Sequence, residues 1–381
     1  MTETHDAEQH GAPTGEPLGV GATPTESRTF PCESCGGDLT FHIGVQSLRC
    51  PFCGAVKEMT SDPEAGVREQ DFQAMLSRLA ELRGQGRHDE QDFLEIDCEA
   101  CSGTVRFEGT LTSQGCPYCG SPLQVEGAHQ AEHRVPVDGV VPFQVDRKTA
   151  AEKFRHWVKS RWFAPGEFTK YGAHGKFNGI YLPYWTFDSM TDTSYTGQRG
   201  DHYQVTEGSG SNKRRVTKTR WRPAAGRFQR FFDDVLVLAG SGLPEARVRA
   251  LEPWPLEKAV PFDRGLLAGF LARTYDVELD GGFEQARQEV EHALHAEVRQ
   301  RIGGDVQRIH TLNTAHAAVT FKHLLLPMWM LAYRFKGKTY QVVVNAVTAE
   351  VQGDRPWSWI KIALTAVAAA AVAGVAIFFL R

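Results

Sequence analysis

All eight cysteines of this 381-residue chain fall into four Cys-x-x-Cys pairs: Cys32/Cys35, Cys50/Cys53, Cys98/Cys101 and Cys116/Cys119. Within each half the spacing is C-x2-C-x14-C-x2-C, and the pattern recurs 66 residues later with no thiol left over. Two intervening residues let one tight turn aim two sulfurs at one ion, and two such turns supply the four soft thiolates of a tetrahedral site. That chemistry is zinc binding, one ion per half. Four protein ligands leave no open position for water, so both sites read as structural. The second pairs read CPFCG and CPYCG, with proline pre-setting the turn and glycine free to take positive φ. The first pairs share a glycine at Gly37 and Gly103, and Phe41 and Phe107 coincide at the same offset. These are two copies of one four-cysteine zinc ribbon of about 30 residues.

Disulfides would require an oxidising compartment. The N-terminal MTETHDAEQH has neither the basic nor the apolar region of a signal peptide. A thioredoxin-like redox site needs one Cys-x-x-Cys beside a βαβ unit, not four in ribbon spacing. Other catalytic signatures are absent. Gly337-Lys338-Thr339 lacks the glycine five positions upstream that a P-loop needs, and sits between strand-like runs. His292 and His295 lie beside Glu289 and Glu291 without an HExxH pattern, as on a solvated helix face. There is no Gly-x-Ser-x-Gly elbow and no spare thiol, so the chain reads as a binding protein rather than an enzyme, with no small-molecule substrate evident.

One charge cluster remains. Ser211 to Arg230 carries eight basic residues and no acid. Lys213, Arg214, Arg215, Lys218, Arg220 and Arg222 form a candidate anion-binding surface, and an extended strand would put Lys218, Arg220 and Arg222 on one face beside Trp221. Nucleic-acid phosphates and anionic lipid headgroups both fit such a stripe, and so does a solvated hairpin with no ligand.

The elements that must position these groups follow from patterning. Residues 1–28 read as a disordered leader, 29–58 as ribbon 1, 59–96 as a helical linker, 97–126 as ribbon 2 and 127–357 as an antiparallel α+β domain. In the linker, Ser61-Asp62-Pro63-Glu64 reads as a helix start, with Phe72, Met75, Leu76, Leu79 and Leu82 as its stripe. In the body, Asp146 caps a helix with stripe Ala150, Phe154, Trp157 and Val158. Gly179 to about Leu238 is strand-rich, while Asp233–Ala239 fits strand or helix. A long helix over 283–302 carries Phe283, Ala286, Val290, Leu294 and Val298, with Gly303 as stop. Strands close the soluble part. LPYW at Leu182–Trp185 returns as LPMW at Leu326–Trp329, hinting at a duplicated unit.

Residues 358–381 read as one transmembrane helix. Ile362 to Leu380 is a run of 19 uncharged residues, close to 30 Å at about 1.5 Å each. Trp357 and Trp359 precede it where an interfacial belt would sit. With no signal peptide, the chain reads as single-pass and tail-anchored in the cytoplasmic membrane, its N-terminal bulk in the reducing cytoplasm.

The ordered set of segments YLPYWTFD, YTGQRGDHY, FDDVLVLA, LEPW, LAGF, IGGD-QRI, TFKHLLLPMW and GKTYQVVVNAVTAEVQG follows the paired ribbons. From Phe30 to Trp357 the chain resembles a bacterial family with transcription-factor-B-type zinc ribbons. Its members carry the label primosomal protein N′, or replication factor Y, a superfamily II helicase, although neither a P-loop nor a DEAH-type box is present here. The resemblance implies a membrane-tethered zinc-ribbon protein whose relatives work beside membrane-stress and flotillin-like proteins. The expectation is a membrane-anchored adaptor that recruits protein partners. The alternative is a nucleic-acid binder in replication or transcription, against which the net charge of −4 counts.

Overall fold

The structure, a computed structural model, describes residues 30–59, 66–84, 94–97, 104–107, 113–115, 122–124, 129–130, 134–163, 177–208, 213–240, 245–335, 338–354 and 358–379. The expected leader and the second cysteine set, Cys98, Cys101, Cys116 and Cys119, lie outside the described residues.

Strands β1 (Thr40–His42), β2 (Ser47–Arg49) and β3 (Val56–Lys57) form a small antiparallel sheet. Then come β4 (Gln70–Asp71) and helix α1 (Phe72–Gly84). In the region of the expected second ribbon, β5 (Leu94–Asp97) pairs antiparallel with β6 (Thr104–Phe107), and β7 (Ser113–Gly115) with β8 (Pro122–Gln124); β9 (His129–Gln130) also pairs with β5. The body contains β10 (Gly139–Val140), α2 (Arg147–Lys159), β11 (Asn178–Glu207), β12 (Arg214–Leu238), α3 (Glu245–Arg249), β13 (Val260–Pro261) and β14 (Leu271–Ala272). It continues through α4 (Leu279–Ile302), β15 (Val306–Phe335), β16 (Lys338–Asn345) and β17 (Val351–Gly353), and α5 (Trp359–Phe379) follows.

The central sheet runs β12-β11-β15-β10-β13, with β16 beside β15 and β17 beside β16. Its long pairings are antiparallel; β10 with β15 and β11 with β14 pair in parallel over two residues each. Strands β11 and β15 are 30 residues long, and bulges near Asp188 and Thr196 break their registers. Asp234 and Ala318 take the left-handed φ of 49° beside those irregularities, which locally re-aim the side chains. Asp233–Ala239 resolves as strand, since β12 continues to Leu238. The two LPxW segments meet in one ladder, Leu182 opposite Leu326. Each tryptophan donates its indole N–H to a carbonyl, Trp185 to Val277 at 2.9 Å and Trp329 to Val145 at 2.7 Å.

Helix α4 lays Ala286, Val290, Leu294, Val298 and Ile302 onto one face of this sheet, against Tyr195, Trp185, Phe228 and Phe232. A Cβ on its buried Gly282 would come within 2.5 Å of the Trp185 ring, so glycine permits the close approach. Asp146 caps α2 by accepting from Thr149 N–H at 2.7 Å, and Ala150, Phe154 and Val158 face the core. The linker helix departs from expectation. It begins at Phe72, not at Ser61–Glu64, and 66–69 are not helical, while 60–65 lie outside the described residues. Gln70 and Asp71 instead pair with Phe321 and Thr320 in the sheet, and the Asp71 carboxylate caps α1 at Ala74 N–H, 2.7 Å. The helix then packs on the body, with the Phe72 ring 4.6 Å from Phe283 and 6.1 Å from Phe187.

The buried His323 is expected to make the stability of this core depend on pH. Its Nδ1 lies 3.1 Å from the carbonyls of both Val135 and Pro136, which fixes the proton there, and its ring sits 4.6 Å from Trp185. Burial pulls its pKa from 6.5 down to about 4. The folded state therefore binds fewer protons than the unfolded chain across that interval, and stability present above pH 6.5 is lost as pH falls towards 4. The gap corresponds to about 3 kcal/mol. Urea denaturation should show that loss in the wild type, and His323→Gln should flatten the slope by the same amount.

Candidate metal centre

The first cysteine set sits on two backbone turns of the same kind. Cys32 N–H donates to Gly37 carbonyl at 2.7 Å and Gly36 N–H to Cys32 carbonyl at 2.8 Å. In the second turn Cys50 N–H donates to Ala55 carbonyl at 2.8 Å and Gly54 N–H to Cys50 carbonyl at 3.0 Å. Gly36 and Gly54 close the turns at φ of 70° and 80°, where a Cβ would be strained. This geometry turns backbone amides onto sulfur: Ser34 and Cys35 N–H towards Cys32, Cys53 and Phe52 N–H towards Cys50, Ala55 N–H towards Cys53.

The four sulfurs lie within 4.8 Å of one another, with Cys32–Cys53 and Cys35–Cys50 both at 3.5 Å. A tetrahedral ion with about 2.3 Å bonds to sulfur needs S–S edges of about 3.8 Å, so the donor set fits a metal ion of that kind. Amide hydrogen bonds set the charge of the thiols. The Ser34 N–H lowers the pKa of Cys32, and the Cys53 N–H lowers Cys50 to about 6. The Ala55 N–H also lowers Cys53, but hydrogen bonds with Cys35 and Cys32 outweigh it and push that thiol up to about 12. Four thiolates this close cannot all carry charge without a cation, so metal uptake must displace protons.

The four-cysteine unit is docked on the body, not hung on a linker. Cys32, Leu39, Phe41, Leu48 and Cys50 are buried in one cluster with Phe143, Tyr181, Leu266 and Trp329 of the body. Phe41 N–H donates to Ala268 carbonyl at 2.9 Å, and Gln46 Nε2 to Phe143 carbonyl at 2.9 Å. Cys35 and Cys53 face outward with Val45, Phe52 and Val56, and Phe52 is 79% exposed. The Phe52 ring lies over Gly37, where a Cβ would approach it to 2.6 Å.

The basic stretch falls on β12, paired with β11 out to Arg214 opposite Glu207, beyond the end of β15 at Gly200↔Val306. Lys218, Arg220 and Arg222 share a face, as strand periodicity requires. All six residues of the stretch, Lys213, Arg214, Arg215, Lys218, Arg220 and Arg222, are exposed. Lys218 pairs with Glu207 at 2.7 Å, and Arg220 sits over the Tyr203 ring at 5.2 Å. The Arg308 guanidinium covers the Trp221 ring at 4.0 Å, occupying the position where a base would stack.

One ionic cluster gave no signal in the sequence. At the β11 bulge, Lys322 Nζ lies 2.8 Å from Asp234, 3.4 Å from Glu69 and 3.7 Å from Asp188. Asp188, Asp233 and Asp234 are close enough to share a cation, and the Lys322 ammonium already lies among them. Burial raises the Asp188 pKa, while the Thr320 hydroxyl lowers that of Glu69. Lys338 and Thr339 open strand β16 rather than a helix, which removes the P-loop context. His292 and His295 ride the outer side of α4, His295 3.8 Å from Glu291.

Helix α5 is 21 residues long, its most apolar 18-residue window has mean hydropathy 2.5, and none of it is buried within the chain. By length and composition it can cross a membrane.

The chain is similar to the uncharacterized protein YdjG of Bacillus subtilis (strain 168). The two are 23% identical over 341 residues, which cover 88% of this chain and 92% of that protein. No protein-family model and no solved structure matches the chain.

Proposed function

We propose that the chain is a membrane-anchored adaptor of the cytoplasmic face, whose two zinc ribbons present protein-binding loops. Zinc is the metal that four thiolates in this spacing select in a reducing compartment. The first ion takes Cys32, Cys35, Cys50 and Cys53, and the second takes Cys98, Cys101, Cys116 and Cys119. Both are structural, because four sulfurs complete the coordination sphere. The observation that carries the adaptor reading is the polarity of the first ribbon. Its inner face is spent on the body, while Phe52, Val45 and Val56 stand 79%, 54% and 57% exposed on a unit too small to need them for its own core. A rigid aromatic at the tip of a metal-locked turn is the kind of group that anchors a protein interface.

Cross-linking of the full-length chain in its native membrane should capture a partner whose yield falls about tenfold with Phe52→Ala, the loss expected of one interface anchor. Equal capture by both chains contradicts the reading. Nucleic-acid binding remains the alternative, supported by the exposed Lys213, Arg214, Arg215, Lys218, Arg220 and Arg222. It predicts DNA binding that strengthens steeply at low salt, whereas an adaptor shows none.

A further inference from the structure

Helix α2 carries a second basic run, apart from that of β12. Between Arg147 and Arg161 stand Arg147, Lys148, Lys153, Arg155, Lys159 and Arg161 against the single acid Glu152, whereas the whole chain has 42 basic and 46 acidic residues. The apolar side of the helix is used up, since Ala150, Phe154 and Val158 are buried in the core. Arg147, Lys148, Lys153, Arg155 and Lys159 are therefore exposed on the outer side. Lys148, Arg155 and Lys159 recur at helical spacing along one stripe. Like charges concentrated on one exposed face are attracted to an anionic surface.

The place of this helix supplies the surface. The segment that leaves α2 is tied to the start of α5: Ser358 N–H donates to the Phe163 carbonyl at 2.8 Å, and Lys361 Nζ to the Trp162 carbonyl at 3.1 Å. Trp162 is 74% exposed at that junction and Trp359, in the first turn of α5, is 78% exposed. Exposed tryptophans beside the entry of an apolar helix suit the headgroup layer, where an indole has an apolar body and a polar edge. The Arg161 guanidinium lies over the Trp157 ring, 5.0 Å from its centroid, and adds another cation at this level.

We infer that the basic side of α2, with Trp162, rests on anionic lipid headgroups beside the membrane-spanning helix and so fixes how the body sits on the bilayer. The inference rests on the reading of α5 as a membrane span. It concerns a surface separate in sequence from the basic stretch of β12. Each cation brought to an anionic leaflet favours the docked state about fivefold. The anchor keeps the chain on the bilayer, and α2 selects its orientation.

The test uses the full-length chain in lipid discs of phosphatidylcholine alone or with phosphatidylglycerol. Backbone amide exchange of 147–163 should be slowed about tenfold or more in the anionic discs, and high salt should reverse the effect without any variant. The triple change Lys148→Glu, Arg155→Glu and Lys159→Glu should abolish the difference while the chain resists carbonate extraction. Trp162 fluorescence should be quenched by brominated lipid in the anionic discs. Equal exchange in both disc types, with the chain still inserted, overturns the lipid-docking inference and leaves the anchor standing. Carbonate release of the chain from both lipids overturns the membrane reading and this inference together.

Discussion

Replacing Cys50 and Cys53 with serine is expected to remove one of two bound metal ions and to destabilise the body as well as the ribbon. Structural zinc contributes on the order of 10 kcal/mol or more to the folding of a small ribbon, which has too little core to fold without it. Sequence alone suggests that the loss ends there. The docked geometry says otherwise, because Leu39, Phe41 and Leu48 share a core with Phe143, Leu266 and Trp329. Uncovering each of these ribbon side chains costs about 1.5–3 kcal/mol in transfer terms. The released chain regains entropy, so a net loss of about 3 kcal/mol in the body is expected. Metal analysis should fall from two ions per chain to one, with the Cys98 set still loaded. Urea unfolding of the body, followed by the fluorescence of the buried tryptophans, should shift to lower midpoint. Two ions retained would contradict the ligand assignment, and a body of unchanged stability would contradict the docking.

Deleting residues 358–381 is expected to move the chain from the carbonate-resistant membrane fraction to the soluble fraction. Ile360, Leu364, Val367, Val372, Val375, Ile377, Phe378 and Phe379 are all more than half exposed. In water each would forfeit roughly 1.5–3 kcal/mol, far more than a soluble domain can carry. A single Ala370→Arg near the middle of α5 tests the same point without truncation. It should lower insertion by about 3 kcal/mol, the cost of arginine at the centre of a membrane helix, and make the chain partly extractable. Complete release of the unmodified chain would contradict the span.

The cysteine pairs are legible because metal ligation is set by local spacing, and the first set gathers as that spacing demands. The stripe of α4 and the cap of α2 are legible for the same reason, since both repeat within a few turns. What lies beyond reach depends on partners far along the chain. Phe41 and Leu48 face each other across a small hairpin, and nothing nearby in the sequence says that the body around Ala268 and Phe143 receives them. Local signals place the start of the linker helix at Ser61, but a strand pairing of Gln70 and Asp71 with Phe321 and Thr320, far along the chain, starts it later. The strand character of 179–238 is legible, but the full length of β11 is not, since Gly179–Ser189 are buried on both faces and show no alternation, and bulges interrupt the register beyond them. The basic stretch shows its charges in the sequence but not their partners, Glu207 and the Tyr203 ring.

X-ray absorption at the zinc edge on the purified full-length chain tests the central claim most directly. The account predicts zinc in every sample, with a single shell of four sulfurs at about 2.3 Å and no nitrogen or oxygen neighbour. A chain without metal, or zinc bound in part by nitrogen or oxygen, would contradict it.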